Sequence, residues 1–174
     1  LFRSALLKET AEHENQDHWS VVPKSSMPQG TKPIQAIWSF KRKSFLDGSL
    51  NKHKARLCAH GGMQQWGINY WETYAPVVNW ISVRFLLILA HIFDLDTHAI
   101  DFVLAFPQAK LDVPVYMFVP AGMQLEGIPD GAYHMCILKL EKSLYGLKQA
   151  SANWYEMLKK ALKLRGFSES VADS

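Results

Sequence analysis

Residues 36–59 read AIWSFKRKSFLDGSLNKHKARLCA. Apolar and polar residues alternate on both sides of Asp47-Gly48. Asp-Gly between two alternating runs is a strong hairpin signal, because glycine takes a positive φ without a Cβ clash. The stretch is expected to form two antiparallel strands, 36–46 and 49–59, joined by a two-residue turn. That register sets Trp38 opposite Leu57 and Phe40 opposite Ala55 on one face. On the other face Lys41 meets Lys54, Lys43 meets Lys52 and Ser39 meets Arg56. Like charges directly opposite one another destabilise a sheet. A docked polyanion would offset that repulsion; a solvated lysine-rich surface is the competing reading.

Outward from the hairpin, ALLKETAEHE at residues 5–14 has helical composition. Three prolines and a glycine between residues 23 and 33 mark a loop. Gly61-Gly62, Gly67 and Ala75-Pro76-Val77 break the chain again. Residues 82–93 read as a buried helix with Ser82 as its N-cap. Residues 99–106 carry a strand end with Asp101 among apolar neighbours. Strands are expected at 113–119 and 133–140. A last helix runs from Ala152 to about Arg165, with Tyr155, Leu158 and Leu162 on one face. Gly166 suits its C-cap. Helices and strands without a βαβ rhythm give an α+β fold class.

The 174 residues are 48% hydrophobic and 20% charged, a globular composition able to bury a core. A net charge of +3 decides little by itself; the clustering of cations on one hairpin face says more. Cys58 and Cys136 stand far apart without metal-ligand spacing, which favours two reduced, partly buried thiols. The longest apolar run, Phe85–Ala90 with its neighbours, is too short to span a bilayer, and Arg84 and His91 interrupt it. The chain begins at Leu1 without a signal peptide and reads as a piece of something longer.

Asp101 is the first candidate for chemistry. A carboxylate among Ile100, Phe102 and Val103 is costly to bury unless it is paired or bound to a cation. Hard oxygen ligands of this kind suit magnesium; a helix cap or a salt bridge would also explain it. Two-metal phosphoryl transfer needs further carboxylates, and the chain holds no Asp-Asp pair. Asp112, Asp130 and Asp173 lack a distinguishing context. No phosphate-binding Gly-Lys-Ser/Thr loop, serine elbow or paired-histidine zinc helix is present. The six tryptophans are core or base-stacking candidates.

Several blocks then fall in one order. They are Ile37-Trp38-Ser39-Phe40-Lys41, Asp47-Gly48, Lys54-Ala55-Arg56-Leu57, Gly61 with Gln64, Gly67, Tyr70 and Glu72-Thr73-Tyr74-Ala75-Pro76-Val77. Asp101-Phe102-Val103-Leu104-Ala105-Phe106, Val115-Tyr116-Met117, Pro120-Ala121-Gly122 and Ser143-Leu144-Tyr145-Gly146-Leu147-Lys148-Gln149-Ala150 follow. Together they resemble the reverse transcriptase of copia-type retrotransposons, over nearly the whole chain. The resemblance implies one partial right-hand polymerase domain over residues 1–174. Fingers would come from about 1–90 and 120–150, palm from about 91–119 and 151–174, without the strands of the Tyr-x-Asp-Asp turn.

The activity implied is RNA-directed DNA polymerisation with two Mg2+ ions, deoxynucleoside triphosphates and an RNA or DNA template-primer. Asp101 would be the catalytic, metal-binding carboxylate. Lys54 and Arg56 would meet the triphosphate. Phe106 would sit under the sugar and reject a 2′-hydroxyl. Tyr145, Gly146, Lys148 and Gln149 would border nucleotide and template, and Lys41, Lys43 and Lys52 would hold nucleic acid. The same resemblance implies integrase and RNase H domains in a parent Pol polyprotein, an intracellular virus-like particle, and no membrane. Ser151-Ala152 stand where the family has Pro-Arg, and Gln108-Ala109 replace its Asn-Gly. This chain alone is expected to be inactive and marginally stable. A catalytically dead remnant that still binds nucleic acid is the alternative.

Overall fold

The computed structural model describes residues 2–125 and 128–170; Asp173 lies outside them. It is a mixed α/β structure built on two antiparallel sheets. Helix α1 spans Arg3–Glu14 and leads into strand β1, Trp19–Pro23. The hairpin is β2, Ala36–Ser44, and β3, Leu50–Ala59. Helices α2, Trp80–Ile92, and α3, Ala105–Gln108, precede strand β4, Lys110–Phe118. Strand β5, Cys136–Lys142, and helix α4, Ala150–Lys163, complete the order.

The hairpin pairs as expected: Trp38 with Leu57, Phe40 with Ala55, Lys41 with Lys54, Lys43 with Lys52. Its turn differs. The Gly48 N–H donates to Phe45 O at 3.0 Å and the Phe45 N–H to Ser49 O at 2.9 Å, so Leu46, Asp47 and Gly48 form a three-residue loop. Gly48 takes φ +83°, the position that closes such a loop with a bulge. A second irregularity between Lys43 and Ser44 compensates the extra residue. The register beyond it is the one a two-residue turn would give.

The three-stranded sheet has the order β1-β5-β4. Val115 opposes Leu140 and Met117 opposes Leu138, all four at most 2% exposed. Strand β1 and the start of β5 depart from the sequence reading. Trp19–Pro23 pairs with β5, and residues 133–135, expected as strand, close the 3-10 turn Asp130–Met135 instead. Ser-Val-Val is too short to signal a strand without its partner. The two sheets join at Ile34, whose N–H donates to Tyr116 O at 2.9 Å while its carbonyl accepts from the Phe118 N–H at 3.0 Å. Ile34, Leu57, Met117 and Leu138 then share one core, each burial contributing about 1.5–3 kcal/mol. Helix α4 ends as expected. Gly166, at φ +85°, donates to Lys163 O and Phe167 to Leu162 O, the paired bonds of a glycine-terminated helix.

Two elements differ from what the sequence predicts. The sequence predicts a buried helix over residues 82–93 capped by Ser82. The helix starts earlier, with the Asn79 carboxamide accepting the Ile81 N–H at 2.9 Å, and none of its residues is buried. Asn79 holds the extended conformation a cap requires, whereas Ser82 already lies inside the first turn. Residues 99–104 form no strand, because no neighbouring strand offers hydrogen bonds to them. Among the described residues no helix is long and apolar enough to cross a membrane. Both cysteines are free and half-buried.

Helix α1 is fastened by polar contacts. His13 Nδ1 and His18 Nδ1 lie 2.6 Å apart, His13 stacks on Trp19, and Glu9 accepts the Leu57 N–H at 3.2 Å. Burial pushes the His18 imidazole down to about 4, with the charges of His13 and Lys142 adding to the effect. In the unfolded chain His18 takes its proton near pH 6.5, so the native state binds fewer protons as pH falls. Stability is therefore expected to be full above pH 6.5 and to fall by up to about 3 kcal/mol toward pH 4. Thermal unfolding followed across that range in wild type and in H18N, which cannot titrate, checks this.

The exposed α2 face generates a second expectation. Leu87 and Ile88 are 56% and 57% exposed. Replacing both by glutamate is expected to reduce light scattering of the isolated chain while changing unfolding free energy by less than about 1 kcal/mol. A large loss of stability would show that α2 is buried.

Candidate functional site

The cationic hairpin face meets the loop before α4. Arg56 sets its guanidinium 4.5 Å over the Tyr145 ring, and Phe106 lies 5.3 Å from the same ring. Glu9, Lys52, Lys54, Arg56, Leu104 and Tyr145 contribute to a cleft of about 290 Å³. Lys54 and Arg56 are half-buried there, whereas Lys41, Lys43 and Lys52 stand exposed toward the hairpin tip. Burial first, then the charges of Arg56 and Lys43, hold the Lys54 ammonium below its ordinary range, and Glu9 partly counters them. Burial opposes ionisation of Glu9, but hydrogen bonds from His13 and the Leu57 N–H more than offset it and keep its carboxyl low. The cleft thus concentrates positive charge with one acidic counterweight on α1.

Two glycines bring these parts together. The Ala59 N–H donates to Tyr145 O at 2.7 Å. A Cβ on Gly61 would lie 2.1 Å from Gly146 O, and one on Gly146 would lie 2.2 Å from Ala59 O. Gly146 also takes φ +89°, where a side chain is strained in any case. Beneath them is a buried amide network. Gln64 Nε2 donates to Gln149 Oε1 at 2.9 Å, Gln149 Nε2 to Asn69 O at 2.8 Å, and the Lys148 N–H to Gln64 Oε1 at 2.8 Å. Gln149 is fully buried and Gln64 nearly so, with their amides satisfied by one another. Asn69 belongs to this network and escaped the sequence reading. The glutamines among the glycines, Gln64 and Gln149, were its only signal. Lys148 projects outward, its Nζ 3.2 Å from the Tyr70 hydroxyl.

Asp101 is exposed and lies outside the residues lining the cleft, but close enough for its charge to raise the Tyr145 phenol, whose shift comes first from burial. Its segment is tied down on either side. Phe102 packs edge-on against Trp154 of α4 at 5.0 Å, and Gln108 Nε2 donates to Val103 O at 2.7 Å. Leu104 takes φ +49° to turn the chain into α3 and lead Phe106 toward Tyr145. Among the described residues no group of three or more histidine, cysteine or acidic side chains could hold a metal ion. One exposed carboxylate does not make a two-ion site.

Residues 16–174 match the family described as reverse transcriptase (RNA-dependent DNA polymerase). The chain is 37% identical over 147 residues to the retrovirus-related Pol polyprotein from transposon TNT 1-94 of Nicotiana tabacum, covering 84% of this chain and 11% of that protein. It is 36% identical over 173 residues to the Pol polyprotein from transposon RE1 of Arabidopsis thaliana, covering 99% and 11%. For transposon RE2 of the same plant the identity is 37% over 156 residues, covering 90% and 10%. The chain thus spans about a tenth of the length of these curated relatives. No solved structure matches it.

Gly146→Ala is expected to cost about 2–4 kcal/mol, through the strained φ and the collision with Ala59 O. Denaturant unfolding measures it, and a neutral result would show that the two backbones can separate freely.

Proposed function

The chain belongs to the reverse transcriptase (RNA-dependent DNA polymerase) family, and we propose that it forms the fingers and the first part of the palm of a right-hand polymerase within a retrotransposon Pol polyprotein. The cleft where Lys54 and Arg56 face Tyr145 and Phe106 supports this reading most directly. A polymerase catalyses nucleotidyl transfer mainly by positioning and by stabilising charge on phosphate. Half-buried cations are suited to that task, since lower local dielectric strengthens their attraction for an anion. In this reading Lys54 and Arg56 receive the triphosphate and Phe106 packs under the sugar. Lys41, Lys43 and Lys52, more exposed on the same face, neutralise template-primer phosphates.

Tyr145 acts as a stacking wall that aims Arg56. Gly146 and Gln149 are assigned positioning roles, because Gly146 fits against Ala59 and Gln149 is sealed in the amide network. Lys148 remains available to template. Asp101 would offer one oxygen ligand to Mg2+, with the remaining carboxylates supplied elsewhere in the parent polyprotein. Integrase and RNase H domains and an intracellular particle belong to the same proposal. The lone Asp101 favours a second reading for the described residues: binding without chemistry, as in a remnant that keeps its cationic fingers.

The test is binding of this chain to a blunt RNA–DNA hybrid as a function of salt. Affinity is expected to fall steeply with salt, and K41A/K43A/K52A should lose about 10-fold at low salt with a slope shallower by about 3. An unchanged affinity and slope would remove the hairpin face from nucleic-acid binding. In the full-length parent, D101N is expected to abolish primer extension while leaving hybrid binding intact. Extension that survives D101N would rule out its ligand role.

A further inference from the structure

The loop after the glycine pair carries two tryptophans that the core does not use. Trp66 is 68% and Trp71 54% exposed. Their rings meet edge to face at 5.6 Å, and the Trp66 indole N–H donates to Trp71 O at 3.1 Å. This is a built arrangement rather than a frayed loop. The Gly67 N–H donates to Tyr70 O at 2.9 Å, Gly67 takes φ +79°, and a Cβ there would touch the Trp71 ring at 3.6 Å. At the loop's base Asn69 accepts from Gln65 N–H through its side chain and from Gln149 through its carbonyl. The indoles are therefore held on the same buried amides that fix the start of α4.

Charge lies beside them. Lys148 sits 4.9 Å over the Tyr70 ring, next to the loop. Lys148 follows Tyr145 by three positions, so at most about 11 Å of chain lies between this lysine and the wall of the cationic cleft. The one acid in the loop, Glu72, spends its carboxylate on the Thr73 and Tyr74 N–H groups, both at 2.8 Å. Rigid exposed aromatic faces next to a continuing cationic track are the chemistry by which proteins hold unpaired bases without regard to sequence.

We propose that Trp66 and Trp71 form a stacking platform for single-stranded nucleic acid, taking the unpaired template bases that adjoin the hybrid held on the hairpin face. The position of the platform relative to a hybrid rests on the polymerase reading; its affinity for a single strand does not. Lys148 supplies the phosphate contact and Tyr70 steadies it.

Indole fluorescence and anisotropy of the whole chain, titrated with a short mixed-sequence single strand, a blunt hybrid, and the same hybrid with a 5′ template overhang, test this. Expected are quenching by the single strand and tighter binding of the overhang hybrid than of the blunt one. W66A/W71A should lose about 10-fold for the single strand and the overhang advantage, with blunt-hybrid affinity unchanged. W66F/W71F, which keeps two aromatic faces, should restore most of the loss and guards against misfolding of the loop. Quenching by the single strand without any hybrid binding would leave the platform standing and overturn the polymerase reading. Overhang and blunt hybrids bound equally, or an overhang advantage that survives W66A/W71A, would overturn the platform. Self-association that shields the indoles at every concentration of single strand would also overturn it.

Discussion

Gly61 and Gly146 meet backbone to backbone, and the candidate site depends on that approach. One glycine follows the end of β3 and the other precedes α4, 85 residues later in the chain. The Gly146 carbonyl lies where a Gly61 Cβ would be, and the Ala59 carbonyl where a Gly146 Cβ would be. No other residue type permits both contacts at once. The bond from Ala59 N–H to Tyr145 O then places the Tyr145 ring over Arg56. The amides of Gln64, Asn69 and Gln149 fill the space below with mutual hydrogen bonds, so the approach strands no buried polar group among them.

This geometry decides how charge is used. Cations opposite one another across a hairpin repel, and Lys41–Lys54 and Lys43–Lys52 do stand opposite. The strands tolerate it because the other face is apolar. Leu57 is fully buried, and Phe2 at the helix start packs its ring against Phe40 and His53. Glu9 enters from the same helix and meets the β3 backbone beside the lysines. The helix that steadies the hairpin therefore also limits its charge. It is held in turn by the histidine pair, in which burial favours the neutral form of His18.

Against this well-packed half stands the run from Trp71 to Val103. Helix α2 is strongly apolar apart from Ser82, Arg84 and His91, a composition that ordinarily marks a helix enclosed by partners, yet none of its residues is buried. Asp101 lies in the same run, and among the described residues no group of three or more histidine, cysteine or acidic side chains could hold a metal ion. The two features agree with one another. The packing that would bury α2 and the ligands that would complete a metal site are both absent among the described residues, while the cationic cleft is already assembled from them.

How much of this was legible in sequence followed from range. The hairpin register was readable because alternation and Asp-Gly are local signals, and it survived an error in the turn because a second bulge cancelled the extra residue. The Gly166 cap and the cationic face were readable for the same reason. The motif order alone placed the chain among reverse transcriptases. Strand β1 was not readable, since five residues become a strand only beside β5. Nor was the exposure of α2, because hydrophobicity states what a helix requires and not whether a partner covers it. The packing of Gly146 and Gln149 was decided only in three dimensions. A motif marks a residue, but only the distance from Gly61 to Gly146, and the closure of the amide network, show what each of the two packs against.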